Sequence, residues 1–272
     1  MKPRSCIAHI SDLHFGREDP NVADALLKDI VMQNPDLVVV SGDLTQRARS
    51  REFQKAADYL RQLPMPILVV PGNHDVPLHN IARRLLRPWQ RYQTHIAEDL
   101  GPQFATADLA VLGINTASRY TWKSGVIKAG HLREIERFFA AHQSACKILV
   151  SHHPLLAEFS AGKKHTWRSG KLREILCHYH IDIVLSGHLH QSYSASAHIE
   201  RLDNSHACVT IQAGTALSTR QRLETNAYNL LRFQEDCLNV KIRIYKENQF
   251  VSGSSLNFVR QNICWKNADR SP

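Results

Sequence analysis

Five short apolar runs, each ending in a cluster of polar side chains, constrain this chain more than any other feature of its sequence. Cys6-Ile7-Ala8-His9-Ile10 runs into Ser11-Asp12-Leu13-His14, Asp36 to Val40 into Ser41-Gly42-Asp43, and Pro66 to Val70 into Pro71-Gly72-Asn73-His74-Asp75. Further on, Lys147 to Val150 runs into Ser151-His152-His153-Pro154, and Ile181 to Leu185 into Ser186-Gly187-His188-Leu189-His190. Unbroken β-branched and aliphatic runs of this length are the pattern of strands covered on both faces. Helix-like segments at about 21–33, 49–62, 131–142 and 168–179 alternate with them. Strand, helix, strand order over the first 75 residues predicts right-handed crossovers and a largely parallel sheet. Carboxyl ends of such strands line a common crevice, so the five polar clusters should meet in space.

The remaining chain is less regular. Residues 76–100 form a basic amphipathic stretch in which Ile81, Leu85, Leu86 and Trp89 interleave with Arg83, Arg84, Arg87 and Arg91. It reads either as a cap beside the crevice or as a surface helix laying its apolar stripe on the core. From 206 onward the pattern turns to strands, at Ala207 to Gln212, Tyr228 to Gln234, Leu238 to Tyr245 and Gln249 to Val251, which predicts a second, mostly antiparallel sheet. A single domain over residues 1–253, with 254–272 as a loosely ordered tail, is the expected organisation. With 43% hydrophobic and 22% charged residues over 272 positions, a packed core is expected and a disordered or fibrous chain is not.

No apolar run approaches the roughly 18 residues that cross a bilayer, and acidic Asp12 interrupts the N-terminus before a signal-peptide core can form. The six cysteines include no CxxC pair and sit mostly in apolar runs, as reduced buried thiols do. Both features point to the cytoplasm, with peripheral contact to the inner membrane through 76–100 left open. Lys plus Arg less Asp plus Glu is 34 − 25 = +9, so anionic, phosphate-bearing partners are favoured.

Sixteen histidines are many for such a chain, and several fall in the strand-end clusters. Asp12, His14, Asp43, Asn73, His152, His188 and His190 make a ligand set of carboxylates, an amide and imidazoles with no thiolate. That set suits Mn or Fe, with Zn, Co or Mg as alternatives, and not a Cys-rich structural zinc site. Seven groups exceed the needs of one ion. They suffice for two divalent ions sharing a carboxylate, the arrangement used for in-line displacement at phosphorus.

The ordered set Asp12-x-His14, Gly42-Asp43, Gly72-Asn73-His74-Asp75, His152 and Gly187-His188-x-His190 resembles the calcineurin-like metallophosphoesterase superfamily, over residues 9 to about 190. The resemblance implies an α/β fold, a four-layer α/β/β/α sandwich with two mixed sheets. It also implies that Asp12, His14, Asp43 and His190 hold one ion and Asp43, Asn73, His152 and His188 the other, with Asp43 bridging. Attack by a metal-activated hydroxide would follow. The choice of His152 over His153 rests on the superfamily's His-x-Pro placement. His74 is implied as the catalytic residue that protonates or hydrogen-bonds the leaving oxygen.

Other polar residues have plainer readings. His153 is expected to support or pack against the ligands, and Asp75 to orient His74 or cap the segment beginning near Pro77. His9, His165, His178, His180, His198 and His206 are expected to be core histidines. Arg220 and Arg222, after Gln212-Ala213-Gly214-Thr215-Ala216, are candidate substrate-binding residues for a phosphate.

The Asn-His-Asp form of the third motif and the compact length resemble the bacterial cyclic-nucleotide phosphodiesterase branch, which implies a phosphodiester hydrolase acting on a small nucleotide-like substrate. The alternative is a UDP-2,3-diacylglucosamine-type pyrophosphatase of lipid A synthesis. Dispersed basic residues without an aromatic stacking platform argue against a nuclease and against nucleic acid as a partner. Oligomeric state leaves no trace in the sequence.

Overall fold

In a computed structural model the chain is described at residues 5–143, 145–156, 166–167, 169–188, 197–203, 206–219, 225–262 and 264–269. The elements are β1 (Ser5–Ile10), α1 (Pro20–Gln33), β2 (Leu37–Val40), α2 (Ser50–Leu60), β3 (Ile67–Val69), α3 (Ile81–Leu86) and α4 (Gln90–His95). They continue as β4 (Gln103–Ala105), β5 (Leu109–Gly113), β6 (Gly125–Val126), α5 (Ala129–Ala141), β7 (Cys146–Val150), β8 (Thr166–Trp167), α6 (Ser169–His178) and β9 (Ile183–Ser186). Last come β10 (Ala197–Arg201), β11 (Ala207–Gln212), β12 (Ala227–Gln234), β13 (Cys237–Lys246), β14 (Gln249–Gln261) and β15 (Cys264–Asn267).

Local chemistry explains the helix boundaries. The Asp19 carboxylate accepts from the Asn21 and Val22 amides, Pro20 opens α1, and Asn34 closes it in the left-handed region at φ 47°. At α2, Glu52 accepts from the amides of Arg47 and Arg49 and so holds the turn that enters the helix.

Strands sort into two sheets, β15-β14-β13-β12-β1-β2-β3 and β10-β11-β9-β7-β5-β4, with a small ladder pairing β6 and β8. Alternation along each strand then makes three cores. In β2, Val38 and Val40 join the core under α1 and α2, while Leu37 and Val39 face the other sheet. In β9, Ile183 and Leu185 meet that same inter-sheet core, and Val184 joins the core beneath α5 and α6. Helices, sheet, sheet, helices is therefore the layer order, the four-layer α/β/β/α sandwich with two mixed sheets.

The parallel order expected over the first 75 residues is found: β1, β2 and β3 are parallel neighbours in the first sheet, and the other motif-bearing strands, β7 and β9, are parallel neighbours in the second. Three expectations need correction. The strands after 206 do not form a separate sheet. β11 runs parallel to β9, and β12 pairs antiparallel with β1 to carry β13, β14 and β15 into the first sheet.

Residues 254–261 and 264–267, expected to be loose, complete β14 and form β15, so the boundary at 253 falls inside a strand. Few inward residues anchor them, but those are large: Phe258 and Trp265 sit in the inter-sheet core. The Trp265 indole N–H also donates to Asp182 Oδ1 at 3.0 Å, and Arg260 Nη2 reaches the same oxygen at 2.9 Å. The stretch 76–100 is two short helices and connecting turns, not one amphipathic helix. No helix among the described residues is long and apolar enough to cross a membrane.

Candidate metal centre

The ends of β1, β2, β3, β7 and β9 meet at one edge of the sandwich, and backbone hydrogen bonds fix their relative height. Asp12 N donates to Gly42 O at 3.0 Å and His14 N to Asp43 O at 2.9 Å within the first sheet, and Gly187 N to His152 O at 3.0 Å within the second. Bonds that cross between the sheets here include His188 N to Asp12 Oδ2 at 3.1 Å and His152 Nδ1 to Ser41 O at 2.8 Å.

The turns are tight. Asp12, His14, Asp43 and His188 have φ of 54°, 49°, 51° and 77°, a left-handed conformation that non-glycine residues adopt at a cost of about 1–3 kcal/mol each. Strained backbone concentrated on these residues swings their side chains into the centre as soon as each strand ends. Gly42 and Gly187 permit the close approach: a Cβ on Gly42 would lie 2.7 Å from His152 Nδ1, and one on Gly187 would strike Ser11 Oγ and lie 2.8 Å from Asp12 Oδ2.

Asp12, His14, Asp43 and His152 are buried, whereas Asn73, His74 and His188 are half-buried and face the mouth. His14 Nε2 stands 3.6 Å from Asp12 Oδ1 and 3.7 Å from Asp43 Oδ2. On the other side of Asp43, His152 Nε2 stands 3.4 Å from Oδ1, 3.1 Å from Asn73 Oδ1 and 3.2 Å from His188 Nδ1.

Because a carbonyl only accepts, the Ser41 bond places the His152 proton on Nδ1, and in the neutral ring Nε2 presents a lone pair. That lone pair confronts oxygens that are themselves acceptors, an arrangement that a cation among them relieves. Ligands sharing an ion at about 2.0–2.2 Å each stand roughly 3.0–3.6 Å apart, close to the spans seen here. The donor set fits divalent ions, and the imidazole held by a carbonyl through its other nitrogen is the usual support for a ligand.

Burial pushes the Asp43 carboxyl up, but the positive charge that the rings of His152, His74 and His14 carry when protonated outweighs it and holds the group below the ordinary carboxylate range. It is thus an anion placed between two ligand groups. Ser11 Oγ donates to Asp12 Oδ2 at 2.7 Å and fixes that carboxylate.

His74 lies beside this cluster. Its amide donates to Asp43 Oδ1 at 2.8 Å, its Nδ1–H donates to the Gln46 carbonyl at 2.8 Å, and its ring meets His14 edge-on at 4.9 Å. Asp75 neither orients His74 nor caps the segment near Pro77. Its carboxylate accepts from Thr45 N and Thr45 Oγ1, both at 2.9 Å, from Gly72 N at 2.9 Å and from Leu44 N at 3.2 Å, tying the β2 and β3 turns together.

His153 Nδ1 shares a 2.9 Å hydrogen bond with Thr116 Oγ1, and its ring lies 4.6 Å from His188. His152, His153 and His188 have ligand atoms close enough together to hold one ion, as do Asp12, His14 and Asp43. Thr116, Ser41 and Gln46 escaped sequence reasoning. Two of them act through backbone carbonyls, which leave no mark in a side-chain pattern, and Thr116 stands outside the five motifs.

Of the other histidines, His9 is buried with Nε2 on Ser41 Oγ at 2.9 Å, and burial lowers its pKa to about 3. His206 is buried and donates to Ile181 O at 2.9 Å, but His178 and His180 are exposed and not core residues. His190, His165, Arg220 and Arg222 lie outside the described residues, as does the side chain of His198.

Comparison with known proteins agrees with this geometry. Residues 7–192 match the profile of the calcineurin-like phosphoesterase family. The chain is 30% identical over 160 residues to the 3',5'-cyclic adenosine monophosphate phosphodiesterase CpdA of Escherichia coli K12, which covers 57% of this chain and 54% of that protein. It is 42% identical over 83 residues to the glycerophosphodiester phosphodiesterase GpdQ of Enterobacter lignolyticus, covering 25% of this chain and 29% of that one. The matched stretches thus span about half, or less, of these two relatives. The purple acid phosphatase PPD1 of yellow lupin superposes with a TM-score of 0.68 at 14% identity, over 96% of this chain and 55% of that chain, a likeness of fold. By its motifs, its fold and the match over two thirds of its length, the chain belongs to the calcineurin-like phosphoesterase family.

Proposed function

We propose that the chain is a hydrolase of small phosphodiesters, with a cyclic nucleotide as the best-supported substrate class, working through two divalent ions. Asp12, His14 and Asp43, with His190, would hold one ion; Asp43, Asn73, His152 and His188 would hold the other. The observation that carries this reading is the position of Asp43, whose two oxygens face His14 on one side and His152 on the other at 3.7 and 3.4 Å. When bound, two such ions polarise a water into a nucleophile at neutral pH and offset the charge that develops on the phosphoryl oxygens.

The protein's own residues do the rest. The Ser41 carbonyl keeps the His152 proton on Nδ1, so Nε2 remains a ligand atom throughout turnover. Ser11 keeps Asp12 in its inward rotamer. His74, anchored through its Nδ1–H to the Gln46 carbonyl, works through Nε2 at the half-buried mouth: in its doubly protonated imidazolium form it gives the Nε2 proton to the leaving-group oxygen as the phosphorus–oxygen bond breaks, and is left as the neutral Nδ1–H ring. Support for the diester, rather than monoester, reading comes from the phosphodiesterases among the relatives.

Metal-stripped protein reconstituted with Mn should hydrolyse bis-p-nitrophenyl phosphate and cyclic AMP faster than p-nitrophenyl phosphate, and Asp43→Asn should be inert on all three. Preference for the monoester would refute the diester assignment. Full activity in Asp43→Asn would refute the site.

A further inference from the structure

Among the described residues seven large apolar side chains are exposed, and five of them, Ile81, Leu85, Leu86, Tyr120 and Trp122, lie in two stretches distant in sequence. Arg84 makes those stretches one surface. Its guanidinium, only 3% exposed, donates to the carbonyls of Pro77, Ser118, Arg119 and Thr121 at 3.1, 3.1, 2.8 and 2.5 Å, and lies 4.2 Å from the Trp122 ring centre. Arg119 returns the link by donating to the Leu85 carbonyl.

The charge on this surface is mainly positive. Neither 76–97 nor 109–133 contains an Asp or Glu, yet exposed Arg87, Arg119 and Lys123 stand among the apolar tips. Arg87 and Arg119 also line, with Leu86, Trp89 and one acid, Glu98, an open cleft of about 650 Å³. Protruding aliphatic tips, aromatic rings beside them, and an excess of cations over carboxylates are the features that suit a surface for resting on anionic lipid. Apolar side chains gathered on one face of a soluble-type fold mark a surface that is covered in use.

We propose that α3 and the 118–123 loop form a docking surface for an anionic phospholipid membrane. The aliphatic tips enter the acyl boundary, Tyr120 and Trp122 sit at headgroup level, and Arg87, Arg119 and Lys123 pair with lipid phosphates. The surface borders the metal centre: Pro77 follows His74 by three residues, and Gly125, just past the loop, lies so close to His153 that a Cβ would stand 2.7 Å from its ring. A docked molecule presents its catalytic mouth beside the bilayer. The inference does not depend on which phosphate ester is cleaved.

Co-sedimentation of the full chain with phosphatidylcholine vesicles, with and without phosphatidylglycerol, tests it. Wild-type protein should pellet with the anionic vesicles only, and release at high salt. Binding should fall roughly tenfold in Leu86→Asp and about fivefold in Arg87→Gln, with hydrolysis of soluble diesters unchanged in both as the check on folding. Failure of the wild type to bind anionic vesicles would overturn the proposal, as would binding that survives both substitutions. A dimer seen by light scattering and abolished by Leu86→Asp, without vesicle binding, would show that a second copy covers the surface and would equally overturn it.

Discussion

Asp29 and Asp43 are both buried carboxylates, 4% and 1% exposed, but they are surrounded in opposite ways. Asp29, on α1, is saturated from within the protein: Arg243 grips it with Nε at 2.9 Å and Nη2 at 2.5 Å, and the Tyr228 hydroxyl donates at 2.6 Å. Two further guanidinium protons go to Ser252 Oγ and the Phe250 carbonyl, each at 2.8 Å, so a helix and three strands are joined through one network.

Asp43 has one clear hydrogen bond, from the His74 amide, and otherwise looks onto imidazoles held too far away for hydrogen bonds and at the right span for a shared ion. Backbone strain separates the two as well: Asp43 has φ of 51°, and Asp29 sits in a regular helix. A buried acid whose partners are complete belongs to the structure. One whose neighbours are other ligand atoms, held on strained turns, belongs to the chemistry.

The contrast can be broken by exchange of effects. Asp43→Asn should lower turnover by roughly three orders of magnitude or more, since a shared ligand affects both ions, while thermal unfolding of the metal-free protein changes little. Kinetics beside calorimetry would show whether the losses separate in this way. Arg243→Met should do the reverse, costing about 3–5 kcal/mol of stability by stranding Asp29 and leaving kcat intact in the folded fraction. Adding Asp29→Leu should recover much of that loss, which denaturant titrations of the single and double variants measure.

Smaller effects sharpen the boundary between holding ions and moving protons. His74→Ala should cost about 10²–10⁴ in kcat with both ions retained by elemental analysis. Loss of an ion in that variant would make His74 a ligand. Ser11→Ala should weaken metal affinity by about 10–100-fold, read by competition with a chelator, because only the orientation of Asp12 changes.

Much of this was legible beforehand. Helices predicted at 21–33 and 49–62 are found at Pro20–Gln33 and Ser50–Leu60, because Asp19-Pro20 is an explicit start signal and the apolar spacing carries the rest. The strand-end clusters were legible too, since polar residues abruptly following a buried run have few structural uses.

What sequence could not show was the division of those strands between two sheets. Val38 and Ile148 are both apolar and both fully buried, and nothing in either run states which sheet it joins. The late strands are hard to place from sequence for a related reason. Much of β14 is Ser, Asn and Gln on exposed faces, and its place is secured by Phe258 and by Trp265 across the next turn. Roles filled by backbone carbonyls, as at Ser41 and Gln46, are invisible in any side-chain pattern.

Calorimetric titration of the metal-stripped protein with Mn, beside the same titration of Asp43→Asn, tests the central claim most directly. The account predicts two ions per wild-type chain and impaired binding of both in the variant. One ion per chain in the wild type, or two bound equally well without the Asp43 carboxylate, would contradict it.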